Sequence, residues 1–351
     1  MGIIDKQKII IAGPCSAESE DQMINTALGL NKINSIDVFR AGIWKPRSKP
    51  GGFEGAGEQG LKWLQKVKKA ISLPVAVEVA NPNHVEMALK YGVDILWIGA
   101  RTTVNPFIVQ EISEALKGIS TEVLIKNPIN ADINLWIGAL ERIKNANINN
   151  IGLVHRGFTS FGNDEYRNAP FWQIPIEMKR LFPKTPMICD PSHIGGKRNR
   201  LQNIIQKSLN LDYNGIMIES HFNPDIALTD SDQQLSPSDL AVLLNNIEWK
   251  SKEVNQSEYN DKINVLREEL KELDDELLSI FYARMNISRD IGALKKKNNL
   301  TILQTKYWDK RLNYLMDLGQ KYDLDPTFLK TVLENIHLES IRCQNEARSK
   351  K

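Results

Sequence analysis

Cysteine is scarce in this sequence: Cys15, Cys189 and Cys343 are odd in number and widely spaced. That argues against a disulfide framework and for a reducing compartment with free thiols. Long apolar runs are missing too. The apolar stretch near Met1 is too short for a secretory signal, and no run approaches the roughly 18–20 residues a membrane span needs. The Met1-Gly2 start lacks the Ser or Thr that a myristoylation signal carries at its sixth position. A cytoplasmic protein away from membranes is therefore expected. No charge of one sign dominates, with 45 Lys and Arg against 43 Asp and Glu, so no overall field would gather nucleic acid or an anionic membrane.

What is present is an ordinary globular composition, 42% hydrophobic and 25% charged, over 351 residues. That length suits one large domain plus a smaller one. Short apolar runs at Lys8–Ala12, Ile36–Arg40, Pro74–Val79, Ile95–Ile98, Val123–Ile125, Ile151–Val154, Met187–Cys189 and Gly215–Ile218 predict eight buried strands. Helical patterns alternate with them, at Asp21–Ile33, Glu58–Ala70, Pro82–Tyr91, Pro106–Leu116, Ile133–Asn145 and Asn199–Leu209. Such alternation fits an α/β fold, a (β/α)8 TIM barrel over residues 1–245. An open doubly wound sheet would announce itself by GxGxxG after the first strand, and the GPCS found there does not match. Because the first strand starts within about ten residues of Met1, no regulatory domain is expected ahead of the barrel.

A polar linker is expected at 246–259 and an all-α domain at 260–351. Ile263, Leu266, Leu270, Leu273, Leu277, Ile280, Ile287, Ile291 and Leu294 keep three- and four-residue spacings along one seam, predicting a single long helix that needs a partner. Two further helices are predicted at Lys306–Tyr322 and Pro326–Ala347, the latter with Asp325 as N-cap and Pro326 in its first turn.

In a TIM barrel the active site lies at the C-terminal ends of the strands. Polar residues cluster there: Cys15; Arg40, Lys45 and Arg47; Glu78; Arg101; Lys126; His155 and Arg156; Asp190 and His193; Glu219, with Asp230 in the loop beyond. So many cations on one rim would desolvate poorly unless they enclose anions, and Arg-rich clusters suit phosphate and carboxylate. Cys15, His193, Glu219 and Asp230 make a mixed S, N and O ligand set for one divalent transition ion, with Mn, Fe, Co and Zn all open. Taken singly, Cys15 reads more readily as a small buried hydrophobe than as a ligand, and His193 equally as a hydrogen-bonding loop residue. Their joint placement favours the metal.

These residues carry a resemblance. Residues 9–235 resemble the type I 3-deoxy-D-arabino-heptulosonate 7-phosphate (DAHP) synthases through GPCS (13–16), KPRS (45–48) preceded by Arg40, GAR (99–101), IKN (125–127), HRGF (155–158), DPSHIGG (190–196), IESH (218–221) and ALTDSDQQL (227–235). The resemblance implies that Cys15, His193, Glu219 and Asp230 bind a divalent metal, with Mn the foremost choice in vitro. It implies that Arg40, Lys45, Arg101, Lys126 and Arg156 bind phosphoenolpyruvate, and that Pro46, Arg47 and Ser48 contact erythrose 4-phosphate, with Ser48 keeping the hydroxyl of the family's Thr. Lys45 and Lys126 are the implied catalytic cations. The implied chemistry is a metal-assisted, aldol-like condensation that releases phosphate. The sister 3-deoxy-D-manno-octulosonate 8-phosphate synthases share barrel and chemistry but carry a KANRSS-like run where this chain has KPRS, which favours the four-carbon sugar. A barrel kept only as scaffold is disfavoured, because none of these positions is lost.

In the long helix, Arg284 takes a seam position and Lys295 lies eleven residues on, about 20° around the helix. Arg267 points elsewhere. From the helix alone, the favoured reading is that Arg284 snorkels or pairs with a carboxylate. Residues 263–347 resemble the all-helical chorismate mutases, including LREELKELDDELL and HLESIRCQNEAR. The resemblance implies that Arg267, Arg284, Lys295, Ser340 and Gln344 bind chorismate, with Arg284, Lys295 and Gln344 catalytic. It also implies a homodimer through the helical domain, in which Arg267 serves the partner's pocket. One departure is Tyr307, where the family often has Arg, which is expected to weaken the mutase. A tail that is mainly a sensor of chorismate or prephenate for the barrel is the second reading.

Overall fold

The runs rich in Ile, Val and Leu form β1 (Ile9–Gly13), β2 (Val38–Ala41), β3 (Val75–Val79), β4 (Ile95–Ile98), β5 (Glu122–Lys126), β6 (Ile151–His155), β7 (Met187–Cys189) and β8 (Gly215–Glu219). Each pairs in parallel with the next, and β8 returns to β1 to close the barrel. The structure is a computed structural model and describes residues 2–45, 51–160, 165–251 and 257–349. The strands fall within two residues of the predicted runs. Ile36 is left out of β2 because its N–H donates to Ile33 O and still belongs to the preceding turn.

Helices Glu20–Asn31, Glu58–Ile71, Pro82–Lys90, Pro106–Leu116, Ile133–Asn145, Gln173–Leu181 and Leu201–Asn210 lie between the strands, and Pro237–Asn245 follows the last. Ser19, Asn81, Asn105 and Asp132 cap four of them through side-chain oxygens. The sequence pattern does not announce Gln173–Leu181. Its Pro175 reads as a breaker but sits in the first turn, where no backbone N–H is required.

Side chains alternate across each strand, so every second residue enters the barrel. Ile9, Ile11, Val38, Ala76, Ile95, Leu124, Val154, Ile188 and Met217 fill the interior, with Trp97 above and Ile4 closing one end. The outward set packs against the helices in the larger core, where Trp136 is fully buried and donates to Ile125 O at 3.2 Å. Two residues beyond the interior apolar positions come Arg40, Glu78, Lys126, Arg156, Asp190 and Glu219. Gly13 sits at the β1–β2 contact with φ 154°, and a Cβ there would come 2.0 Å from Arg40 O.

His155 departs from the expected rim set. It lies in the outward register of β6, one residue before Arg156, and is fully buried between β6 and the helices. Its Nε2 contacts Pro170 O at 2.7 Å and its Nδ1 the Tyr213 hydroxyl at 3.0 Å, with Trp172 edge-on at 5.2 Å.

The chain divides into two compact units, Met1–Lys252 and Glu253–Lys351. The first reaches beyond residue 245 because Ile247 is buried and Trp249 packs on the barrel core. Part of the predicted linker, 252–256, lies outside the described residues. The second unit holds helices Ser257–Lys297, of 41 residues, Thr305–Lys321 and Pro326–Ser349. Asp325 caps the third, accepting from Phe328 N at 2.7 Å. The first and third pack closely at Gly292, where a Cβ would meet Gln344 O at 2.6 Å. Along the seam Leu266, Leu270, Leu273, Ile280, Ile287 and Leu294 each stay more than half exposed.

Burial, only partly opposed by the Pro170 carbonyl, holds the His155 imidazole down at about 3, against 6.5 ordinarily. Its folded pKa is depressed, so between pH 6.5 and about 3 the unfolded chain binds a proton that the native barrel refuses. Stability is therefore lost as pH falls through this window. His155→Gln should flatten the decline of barrel stability from pH 6.5 to 4.5 by up to about 1.4 kcal/mol per pH unit. Urea titrations at several pH values check it; parallel slopes in the two proteins would contradict it.

Candidate active sites

At the C-terminal end of the barrel Arg40 is the innermost cation, 1% exposed. Its Nη2 lies 3.3 Å from Glu219 Oε1 and donates to Cys15 O at 3.4 Å, and its guanidinium carbon lies 4.8 Å from the centre of the Trp97 ring. Nε and Nη1 are buried without a partner. Lys126 Nζ stands over the same ring at 5.6 Å and donates to Asp190 Oδ2 at 2.7 Å. Arg156 is oriented by two amides: its backbone N donates to Asn127 Oδ1 and its Nη1 to Asn168 Oδ1. Burial lowers the Arg156 guanidinium to about 10, with the Asp190 carboxylate opposing. Arg101, exposed in helix Ala100–Thr103, adds positive charge that is felt at Arg156.

Beside these cations, ligand atoms of Cys15, Glu219 and Asp230 all lie within 4.8 Å of one another. Cys15 Sγ is 3.4 Å from Asp230 Oδ2, and Lys45 Nζ donates to the sulfur at 3.0 Å. Burial, then the Glu219 carboxylate, pushes the Cys15 thiol up to about 12. Burial pulls the Lys45 ammonium down, but Cys15 and Glu219 more than offset it and the net shift is upward. Burial alone would raise the Glu219 carboxyl; His193, Arg40 and Lys45 outweigh it and hold the group ionised below its usual range. His193 is not among the three clustered donors, but its Nε2 comes within 3.7 Å of Glu219 Oε1. Its Nδ1 is held by Asp190 Oδ1 at 3.0 Å. Burial keeps the imidazole below its ordinary pKa. A neutral ring that donates from Nδ1 to a carboxylate turns the Nε2 lone pair toward Glu219.

Pro46, Arg47 and Ser48 lie outside the described residues. His155 is not part of this rim. Several residues that complete it were not singled out individually, although Gln233 and Gln234 lie in the ALTDSDQQL segment. Trp97, fully buried, donates from Nε1 to Glu78 Oε2 at 2.9 Å and offers its ring to Arg40 and Lys126. Gln233 joins Glu219 Oε2 at 2.6 Å to Arg167, which in turn meets Asp230 Oδ1 at 3.0 Å. Gln234 accepts from Cys15 N at 2.9 Å. Only the pairing of Ser220 with Leu235, beyond β8, brings these glutamines back to the rim.

In the helical unit, Arg284 donates to Ser340 Oγ and to Ile336 O, and Lys295 donates to Gln344 Oε1 at 3.1 Å and to Ile302 O. Ser340 and Gln344 are buried, four residues apart on one face of the third helix. Arg267 is exposed, seventeen residues before Arg284 and so roughly 26 Å away along the helix; its own chain does not bring it into this pocket. Tyr307 is 70% exposed.

Residues 3–257 match the DAHP synthetase I family and residues 266–345 match chorismate mutase type II. A phospho-2-dehydro-3-deoxyheptonate aldolase of Thermotoga maritima is 30% identical over 226 residues, 64% of this chain and 64% of the relative. A 2-dehydro-3-deoxyphosphooctonate aldolase of Geobacter sulfurreducens is 27% identical over 261 residues, 68% of this chain and 91% of the relative. The solved DAHP synthase of Thermotoga maritima superposes with a TM-score of 0.60 at 29% identity, over 68% of this chain and 67% of that one. Its truncated form gives 0.58 at 26% identity, over 68% and 84%. With a match that spans nearly the whole barrel, the chain belongs to the DAHP synthetase I family and carries a chorismate mutase type II segment after it.

Proposed function

We propose that the chain is a bifunctional shikimate-pathway enzyme, whose barrel condenses phosphoenolpyruvate with erythrose 4-phosphate to DAHP and phosphate and whose tail rearranges chorismate to prephenate. The observation that carries the first activity is Arg40: a guanidinium so buried, with two donor nitrogens unpartnered, calls for an anionic ligand. Lys126 and Arg156 rise from neighbouring strands and Arg101 stands at the exposed edge, so phosphoenolpyruvate can be held at both phosphate and carboxylate. The Trp97 ring fixes where Arg40 and Lys126 stand. Held this way, the substrate is oriented before reaction, and the same cations stabilise charge as it moves to the departing phosphate.

Cys15, His193, Glu219 and Asp230 would hold one divalent metal ion, Mn foremost. Glu219 Oε1, buried with no hydrogen-bond partner beside the thiol and the Asp230 carboxylate, suits that role. When bound, the ion supplies Lewis-acid polarisation of the aldehyde carbonyl. Asp190 orients His193 toward it, Gln233 fixes the Glu219 carboxylate and Gln234 fixes the Cys15 backbone. Erythrose 4-phosphate, rather than a five-carbon sugar phosphate, is supported by KPRS, since relatives of both kinds match the barrel.

In the tail, Arg284 and Lys295 suit the two carboxylates and the ether oxygen of chorismate, with Ser340 and Gln344 completing the pocket. Restricting the conformer and donating to the ether oxygen needs no covalent catalyst. The exposed leucine seam supports a homodimer with a second copy of this chain, which would bring Arg267 of one copy toward the pocket of the other.

Phosphate release from phosphoenolpyruvate and erythrose 4-phosphate should require a divalent metal, Mn²⁺ restoring what EDTA removes; turnover untouched by EDTA would contradict the metal site. Suppression by prephenate would make the tail a sensor as well, whereas no effect leaves it an independent catalyst. Cys15→Ala and His193→Ala should each lower metal-dependent turnover by at least about a hundredfold while the circular dichroism spectrum is kept. Arg284→Ala should cut chorismate turnover by about the same factor and leave phosphate release unchanged.

A further inference from the structure

In the helical unit Arg284, Lys295, Ser340 and Gln344 form a polar cluster. Among the described residues Arg284 and Lys295 donate only to neutral acceptors. Arg311, on helix Thr305–Lys321, lies over the Tyr314 ring at 5.2 Å, and its charge is felt at Arg284. Facing them is His337. It precedes Ser340 by three residues and Gln344 by seven on the third helix, and therefore shares their face. Its ring stacks on Trp308 of the second helix with centroids 3.9 Å apart and planes at 9°. Its Nε2 is buried and has no hydrogen-bond partner.

A buried imidazole nitrogen without a partner is costly, and the expense is tolerated where a ligand completes the bond. Burial, then Arg284 and Lys295, keep the His337 ring below its ordinary pKa, which makes it a neutral donor or acceptor among fixed cations. The protein offers no acceptor at Nε2, whereas a dicarboxylate drawn in by Arg284, Lys295 and Arg311 would bring several. The Trp308 stack covers one face of the ring and fixes its plane, and the unpartnered Nε2 lies at the edge of that plane.

We infer that His337 is a substrate-binding residue of this pocket, donating from Nε2 to a carboxylate of the dianion gripped by Arg284 and Lys295. The inference rests on the tail acting on chorismate and deepens it. It assigns to the third helix a donor one turn before Ser340, on a ring braced by the second helix. His337 thereby strengthens the grip on a pocket side where the exposed Tyr307 brings no cation.

The full-length protein tests this with His337→Phe, which keeps the stack on Trp308 and removes the donor, and His337→Gln, whose amide can still donate. Chorismate turnover, prephenate affinity by calorimetry, and phosphate release by the barrel are read for each. His337→Phe should raise the KM for chorismate and the Kd for prephenate by about tenfold or more, the loss of one hydrogen bond to a charged group. Its kcat should fall less, and barrel activity should not change. His337→Gln should stay within about threefold of the wild type. An unaltered His337→Phe, or a His337→Gln impaired as much as it, would overturn the inference and show the ring to be only a brace. A wild type that binds prephenate without turning over chorismate would remove the mutase activity alone, and the affinity loss in His337→Phe would still support the site. A wild type that neither binds nor turns over would overturn both.

Discussion

In a closed barrel of parallel strands the inward side chains come every second residue, and there is room for only a few layers of them. This constraint decides both what holds the fold and where its chemistry lies. Val38, Leu124, Val154 and Met217 are fully buried in the apolar interior, and the next inward step along the same strands is Arg40, Lys126, Arg156 and Glu219. Charged groups therefore stand on an apolar floor, where their fields are strong and an unmade bond is expensive. His155 shows the reverse. One residue out of phase, it faces the helices and becomes a core group held neutral by burial.

Carboxylates make that concentration of cations tolerable. Asp190 accepts from Lys126 and from both the backbone and ring nitrogens of His193, while Glu219 meets Arg40 and Gln233. Burial alone would raise the pKa of both acids; His193 and the neighbouring Lys126, Arg40 and Lys45 outweigh it and hold both below their usual range. Such buried pairs add little to stability against an apolar alternative. Their value lies in holding Lys126, His193 and Arg40 at fixed points with some donors unmet. Trp97 adds to this by giving two cations one face to rest against.

Much of the barrel was legible because eight strand signals alternate with turn signals and six helical patterns, and each strand end carried its own ionisable residue. Arg40, Lys126 and Glu219 could be found from their position two residues past an apolar one. His155 misled because a strand end offers two consecutive side chains, and only the register of the whole strand says which one enters the barrel. Trp97, Gln233 and Gln234 could not be singled out, since an aromatic in an apolar run reads as core and the glutamines reach the rim only through the pairing of Ser220 with Leu235. In the tail the periodicity of the long helix was clear, while the stack of His337 on Trp308 joins residues 29 positions apart on separate helices, beyond any local pattern.

Under the proposed function the two units face the same physical task, binding a multiply charged anion, under opposite conditions. The barrel has a large core and buries its cations, with Asp190 and Glu219 as the acceptors that place them. Within one copy the tail is three helices with most of its long seam exposed, and among the described residues no acid accepts from its two cations. Arg284 and Lys295 are instead placed by neutral groups, Ser340 and Gln344. Neutral placement leaves the pocket's positive charge uncompensated, so an incoming dianion displaces no carboxylate. It also makes the pocket depend on neighbouring helices for shape. A close approach at Gly292 brings the first helix against Gln344, and the aromatic stack fixes the second against the third. Where a small unit cannot enclose its ligand in a core, contacts between helices must supply the rigidity, and polar groups along those contacts become part of the site.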